Sequence, residues 1–476
     1  MPTASDHHSQ VESRITGTFR DPAGRLVQRD GRILRVVSES GDSCARFLFT
    51  PKAEEWATQG SLIRTWRVSE PDLFTAGTTQ ILEHERIPFA SYPYEWPAEM
   101  LHAAGTLTLR LALESLESGY SLKDATPYNI LFRGPKPVFV DALSFEPREP
   151  GDATWLPYAQ FLRTFLLPLL AQRHFGMELG STLLAHRDGL EPEVVYKWCS
   201  WLKRLTPPFL GTVSMPTWMG RKEVEAKAYA PARIDPERAT FVLQGLLHGL
   251  EKNLRKAAPK LAGSRWSGYL STTALYDSSQ FLAKETFVRD ALNETKPARV
   301  LDVGCNEGHF SGLAAQAGAS VVGIDSDPEV VGRTWRKATD EKLNILPLVV
   351  DLTRPSPATG WRNEEAASFL DRARGHFELV LALAVLHHML VTERVPLPAA
   401  LDLLGETSSK YVLLEFVSPD DPMFQRIVRG RGELYRHLTL EHFENEVRER
   451  FEIVRSTRLD GLHRWLYLLR KKDSRS

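Results

Sequence analysis

The sequence predicts an α/β protein: a parallel sheet flanked by helices in the C-terminal half, preceded by an α+β half. Three observations predict this. From about residue 255 onward, short apolar runs alternate with amphipathic stretches, the pattern of a sheet covered by helices. Before that point, strand-like runs give way to two long apolar helical stretches. Finally, 476 residues exceed one ordinary core, so two or three domains are expected.

In the first half, the strand-like runs are "GRILRVVS", "ARFLFTP" and "ERIPFASYPYEW". The helical stretches are "PAEMLHAAGTLTLRLALESLESG" and "LPYAQFLRTFLLPLLAQRHF", which carry apolar residues at helical spacing. Residues from about 178 to 260 read as a mostly helical connector, interrupted at the Pro-rich "LTPPFLGTVSMPTW", that either completes the first domain or caps the second. The expected division is therefore 1–177, 178–260 and 261–476. In the last of these, strands are expected at "ARVLDVG", "ASVVGID", "NILPLVVD", "FELVLALAV", "YVLLEFV", "FEIVRSTR" and "RWLYLLRK". Helices fit between them at "HFSGLAAQAG", "DPEVVGRTWRKAT" and "LPAALDLLGETS".

Composition narrows the function classes. A charged fraction of 25%, a hydrophobic fraction of 42% and a formal net charge of −1 describe a globular chain without a generally nucleic-acid- or membrane-coating surface. No nucleic-acid partner and no membrane span are expected. The three cysteines, Cys44, Cys199 and Cys305, are far apart and outside any CxxC pairing, so neither zinc nor a disulfide framework is suggested. With a polar N-terminus lacking an apolar export core, the reading is a cytoplasmic protein.

The most informative stretch is "VLDVGCNEGHF", residues 300–310. Gly304 and Gly308 follow a short apolar strand and precede a helix, the context of a nucleotide-binding turn, where a missing Cβ lets the backbone turn sharply and approach a ligand. Asp325 ends the next strand, where a carboxylate can accept both hydroxyl hydrogens of a ribose, and Asp351 ends a third. Helix caps following strands would explain each feature singly but not all three at one sheet edge. Asn306 stands between the glycines, which departs from G-x-G-x-x-G and argues against a dinucleotide; Asn tolerates positive φ better than most residues.

Together with "VVGIDSDP", "VVDL" and "LVLALAVLHHM", this stretch resembles the class I S-adenosylmethionine-dependent methyltransferase family over residues from about 265 to the end. The resemblance implies a Rossmann-like sheet and S-adenosyl-L-methionine as cofactor. On it, Asp302, Gly304, Asn306 and Gly308 form the glycine loop beside the amino acid part of the cofactor, Asp325 holds the ribose and Asp351 lies beside the adenine amino group. Leu383 opens the segment 383–389, which lies between cofactor and acceptor. Upstream, Trp266, Tyr269, Tyr276 and Lys284 sit in a helical lead-in that closes over the cofactor in related enzymes, and an aromatic ring such as Tyr269 suits a sulfonium through cation–π attraction.

Methyl transfer from a sulfonium needs mainly alignment, with a base only if the acceptor must lose a proton. His387 and His388, at the exit of the fourth strand, are the candidates for that base, without a choice between them, and Glu415 is a further one. No Asn/Asp-Pro-Pro-aromatic motif follows the fourth strand, which argues against a base amino group and for a small-molecule or carbohydrate acceptor methylated on oxygen.

In the first half, "LKDATPYNILFRGPKPVFVDALSF" spaces Asp124, Asn129 and Asp141 as phosphoryl transfer from Mg-ATP requires: a carboxylate for the acceptor hydroxyl, then an amide and a second carboxylate for the metal. The spacing resembles the protein-kinase and aminoglycoside-phosphotransferase superfamily, with "IPFASYPYEW" as the hinge. Lys123 and Leu122 depart from the Arg and His of the pattern, and Ala142-Leu143 replaces Phe-Gly. No multi-glycine phosphate loop is present, and only Arg35 or Arg46 could replace the usual lysine. The whole arrangement is similar to NoeA-like bacterial proteins. The expectation is a methyltransferase whose kinase-like domain recruits substrate; a bifunctional kinase and methyltransferase, or a non-catalytic cofactor-sensing scaffold, are the alternatives.

Overall fold

The computed structural model describes residues 13–14, 21–220, 234–260 and 278–472. The chain opens with strands β1 (Ser13–Arg14), β2 (Gly24–Arg29), β3 (Arg32–Ser38), β4 (Thr65–Val68) and β5 (Thr78–His84), which form an antiparallel sheet in the order β1-β2-β3-β5-β4. Helices α1 (Asp42–Phe47) and α2 (Pro51–Thr58) intervene between β3 and β4. The expected strand at "ARFLFTP" is therefore corrected: its first residues are helical, with Cys44, Ala45 and Phe47 buried on one face. Thr50 then accepts from the Ala53 N–H and Pro51 opens α2, so this short apolar run ends in a capping signal.

"ERIPFASYPYEW" is also no strand. It runs as irregular chain with a 3₁₀ turn at Pro93–Glu95, because Pro88, Pro93 and Pro97 remove ladder donors. The long helix α3 (Ala98–Glu117) follows as expected. Next come β6 (Tyr120–Leu122), β7 (Ile130–Arg133), β8 (Lys136–Phe139) and β9 (Phe145–Pro147), with β6 paired to β9 and β7 to β8. A helical run at 158–175, here α4, includes a π-helical turn at Leu162–Leu166. Short helices lead on to α5 (Pro236–Ala257), capped by Asp235 and buried along Leu243, Leu247, Leu250 and Leu254. α5 lies on α3: a Cβ on Gly105 would stand 3.4 Å from Leu254, and His102 bonds the Leu254 carbonyl at 3.2 Å. This end of the connector thus packs against the first half.

The second half begins with α6 (Ser278–Thr295) and alternates β10 (Arg299–Val303), α7 (His309–Gln316), β11 (Ser320–Asp325), α8 (Pro328–Asp340) and β12 (Ile345–Val349). It continues through β13 (Phe377–Ala382), α9 (Leu386–Val391), α10 (Leu397–Thr407), β14 (Ser408–Val417), α11 (Pro422–Val428), α12 (Leu440–Arg450), β15 (Phe451–Arg458) and β16 (Arg464–Lys471). The strand order is β12-β11-β10-β13-β14-β16-β15, with β10 to β14 parallel and β16 antiparallel to both its neighbours. The chain reverses its direction of travel between β10 and β13, which opens a crevice at their carboxyl ends.

One face of this sheet, with Leu301, Val322 and Leu346, shares a continuous core with the first half, while the other, with Val300, Val321 and Leu379, packs under α6 and α7. Segment 89–99 makes much of the junction. Phe89 packs edge-on to Phe369, and the buried Glu95 carboxylate receives Arg372 and Ser356. Arg336 pairs with Glu99 at 2.8 Å, and the Trp335 indole donates to the Pro135 carbonyl at 3.0 Å.

Candidate active site

The turn after β10 is shaped by steric necessity. Gly304 has φ 69°, and a Cβ there would stand 2.5 Å from Val385; Gly308 has φ 73°, and its Cβ would stand 2.6 Å from Thr334. Both positions therefore exclude a side chain. Asn306 also adopts positive φ, 49°. Its side-chain oxygen accepts from the Glu307 N–H at 2.7 Å, and Thr334 donates to its carbonyl at 2.7 Å, which holds an αL conformation that Asn tolerates.

β11 delivers Asp325 to the same turn. One carboxylate oxygen accepts from the Asn306 N–H at 3.1 Å and the other from the Asp327 N–H at 3.0 Å, which leaves each oxygen lone-pair capacity toward the crevice. Burial nevertheless raises its pKa. Asp302, almost wholly buried, receives the Ser311 hydroxyl at 2.6 Å. Burial, with Asp325 adding like charge, pushes it up to about 7. Asp351 stands two residues beyond β12, where its carboxylate accepts the N–H and hydroxyl of Thr353 at 2.9 and 2.6 Å.

Asp302, Gly304, Asn306, Asp325, Asp351, Leu383 and His388 line one cavity of about 320 Å³ at the carboxyl ends of β10 to β13. Gly308 stands just behind it as the αL cap of α7. Tyr269 falls, with Trp266 and Tyr276, outside the described residues. From the described part of the lead-in, Phe281 and Lys284 reach the cavity, as do His309 and Phe310 of α7. Phe281 and Phe310 were missed by sequence reasoning; their one signal is their place on the two helices flanking the glycine turn.

Of the histidine pair, His388 lines the cavity and His387 lies behind it, with ring centroids 4.3 Å apart. His387 is buried, and among the described residues neither of its ring nitrogens has a hydrogen-bond partner. Burial first, then the neighbouring His388, Arg464 and Lys284, drives its pKa well below the ordinary value. Burial therefore favours its neutral imidazole. Glu415 does not line the cavity: its buried carboxylate bonds Lys284 at 2.6 Å and lies 3.7 Å from Arg464, which pairs with Asp421 at 2.8 Å.

The match to known proteins fits this geometry. Residues 276–468 match the model of a methyltransferase domain family. The chain is an S-adenosylmethionine-dependent methyltransferase. Its methyltransferase domain is the class I α/β sheet just described, so a cofactor of this chemistry suits the cavity, where Gly304 keeps the backbone open. Over nearly its full length the chain is similar to the nodulation protein NoeA of Rhizobium meliloti (strain 1021), with 28% identity over 471 residues, 97% of this chain and 96% of that one. A shorter similarity, 25% over 127 residues, relates 27% of this chain to 77% of the uncharacterized methyltransferase C750.03c of Schizosaccharomyces pombe. Among solved structures, WbdD aligns at 20% identity over 44% of this chain and 43% of its own, with a TM-score of 0.31.

Elsewhere, the first half brings Asp124, Asn129 and Asp141 together. The Asn129 amide donates to the Asp124 carbonyl at 3.3 Å, and Ser144 bonds the Asp141 carboxylate. Burial and the charge of Asp141 raise the pKa of Asp124. Arg35, buried on β3, bonds Asp21 at 3.1 Å and stands 3.7 Å from Asp141. Arg46 pairs instead with Asp42 on α1. Among the described residues, no cluster of three or more His, Cys, Asp or Glu is placed to hold a metal ion, and no helix is long and apolar enough to cross a membrane.

Proposed function

We propose that the chain methylates an oxygen of a small-molecule or carbohydrate acceptor, with the 320 Å³ cavity holding the methyl donor and His388 at its acceptor side. The observation that carries this is the convergence of Asp302, Asp325, Asp351 and the Gly304 turn on one cavity at the sheet's reversal point. When bound, S-adenosylmethionine supplies a methyl group already activated on sulfur. Asp325 would hold the ribose hydroxyls, Asp351 would lie by the adenine amino group, and Asp302 with the glycine turn would lie by the amino acid end. Leu383 and the backbone after β13 separate donor from acceptor. His388 accepts the acceptor's proton as attack proceeds; His387, neutral and buried behind it, cannot repel that new charge.

The chain divides, on this reading, into a kinase-like part at 1–177, a connector at 178–260 and the methyltransferase domain at 261–476. The first part recruits or shapes the substrate. The nearly full-length similarity to a nodulation protein supports the two halves acting as one unit; we read their setting as cytoplasmic. Transfer of labelled methyl from S-adenosylmethionine to extract fractions tests the proposal: wild type labels an acid-stable small molecule and His388→Ala reduces the rate about 10²-fold or more. Equal rates would remove His388 from the chemistry.

A second reading rests on the Asp124, Asn129 and Asp141 cluster, which resembles a Mg-ATP site with Arg35 where a lysine is usual. On it the chain also phosphorylates its acceptor. A Mg-ATP-dependent rise in melting temperature that Asp141→Ala abolishes supports this reading; no shift in wild type ends it.

A further inference from the structure

A second cavity, of about 750 Å³, adjoins the first: Thr392, in the turn after α9, lines both. Its volume is that of a small-molecule site, and nothing so far assigns it a ligand. Its charge is one-sided. Arg394, Arg429 and Arg431 line it, together with His437, and no Asp or Glu does. Among the described residues, none of these three arginines bonds or pairs with a carboxylate. The nearby Glu433 is committed to Arg436. In a chain whose formal net charge is −1, three uncommitted guanidiniums around one cleft stand apart from the surface as a whole.

The backbone places the arginines at two turns: Arg429 is the left-handed cap of α11, with φ 49°, and Arg394 follows α9 with φ 57°. The segment that carries Arg429 and Arg431 is tied to α9: the Tyr435 hydroxyl donates to the Leu390 carbonyl at 3.4 Å, and Tyr435 packs edge-on to Phe424. The segment bearing two of the arginines is thus joined to α9, the helix that also carries His388.

We propose that this cavity anchors the acceptor and that the acceptor carries a phosphate or diphosphate ester, as a soluble phosphorylated sugar does. The proposal rests on the methyltransfer reading for the neighbouring cavity. Guanidinium forks match phosphate oxygens bidentately. Three of them call for more than the single charge of a carboxylate, and a phosphate monoester brings about −1.5 to −2. Anchoring the ester in the basic cleft leaves the rest of the acceptor to extend past Thr392 toward His388, so binding energy remote from the reacting oxygen aligns it.

The test uses the full chain and two probes, inorganic pyrophosphate and S-adenosylhomocysteine, titrated separately into wild type and Arg429→Gly/Arg431→Ala. Glycine suits the positive φ at 429, so the variant keeps its backbone. Pyrophosphate is expected to bind wild type, more weakly as salt rises, and to bind the variant about tenfold or more weaker. S-adenosylhomocysteine affinity is expected to stay within about twofold, reporting that the variant is folded. Glucuronate, with one carboxylate, is expected to bind wild type about tenfold weaker than pyrophosphate. Equal pyrophosphate binding by both proteins, or none to a wild type that binds S-adenosylhomocysteine, overturns the proposal. So does retention on phosphatidic acid vesicles that pyrophosphate fails to displace, because the anion would then be a membrane surface. If S-adenosylhomocysteine fails to bind while pyrophosphate binding still depends on the arginines, the methyltransfer reading falls and the anion site stands.

Discussion

At the scale of single residues, the glycine turn makes the sharpest statements. A methyl group at Gly304 would meet Val385 at 2.5 Å and adopt a φ that L-residues avoid. Gly304→Ala is therefore expected to destabilise the fold by about 2–3 kcal/mol in equilibrium denaturation. Asn306→Gly relieves an αL residue but loses the bond to the Glu307 N–H, so its effect should stay within about 1 kcal/mol. The sequence already singled out Asn306 as a residue that tolerates positive φ; the adoption of that φ came from the structure. Asp302 adds a pH signature. Its folded pKa is raised from 3.8 to about 7, so between those values the folded state holds a proton that the unfolded state has released. The associated stability is full below the unfolded value and is lost as pH rises toward 7. Relative to Asp302→Asn, wild type should therefore lose about 2–3 kcal/mol between pH 5 and pH 7.5, measured by denaturant unfolding at each pH.

At the scale of elements, β10 to β16 were legible because continuous apolar runs between helix signals have few other readings. Two elements of the first half were not. Residues 45–51 look like a strand by apolar content, but Cys44, Ala45 and Phe47 serve one face of a single helical turn. Residues 85–96 look like a strand by aromatic and apolar content, yet Phe89 packs on Phe369 and Tyr92 accepts from the Ala367 N–H, partners nearly three hundred residues away in sequence that no local pattern reveals. The tie of α5 to α3 is likewise a packing fact, decided where Gly105 admits both Phe165 and Leu254. Gly105→Val should overpack that crossing and cost about 1–3 kcal/mol, read from the denaturation midpoint.

At the scale of the whole molecule, the two halves share a core and a buried ion pair. Glu95 is fully buried and Arg372 nearly so. Glu95→Ala leaves the guanidinium without its carboxylate and should lower stability by about 3–5 kcal/mol. Because that pair joins the halves, calorimetry should show both losing stability together. The cavity proposed for the methyl donor was the more legible one, since Asp302, Asp325 and Asp351 lie at or just past the carboxyl ends of three neighbouring strands and line it together. The basic cleft was not, because Arg394 lies more than thirty residues from Arg429 and Arg431 and only the fold brings them together.

The central claim is that the cavity between β10 and β13 holds the methyl donor with Asp325 on its ribose. Calorimetric titration of S-adenosylhomocysteine into wild type and Asp325→Ala tests it directly. The predicted result is saturable binding to wild type, weakened about a hundredfold in the variant through loss of two charge-assisted hydrogen bonds. Equal affinity in the two proteins would contradict it.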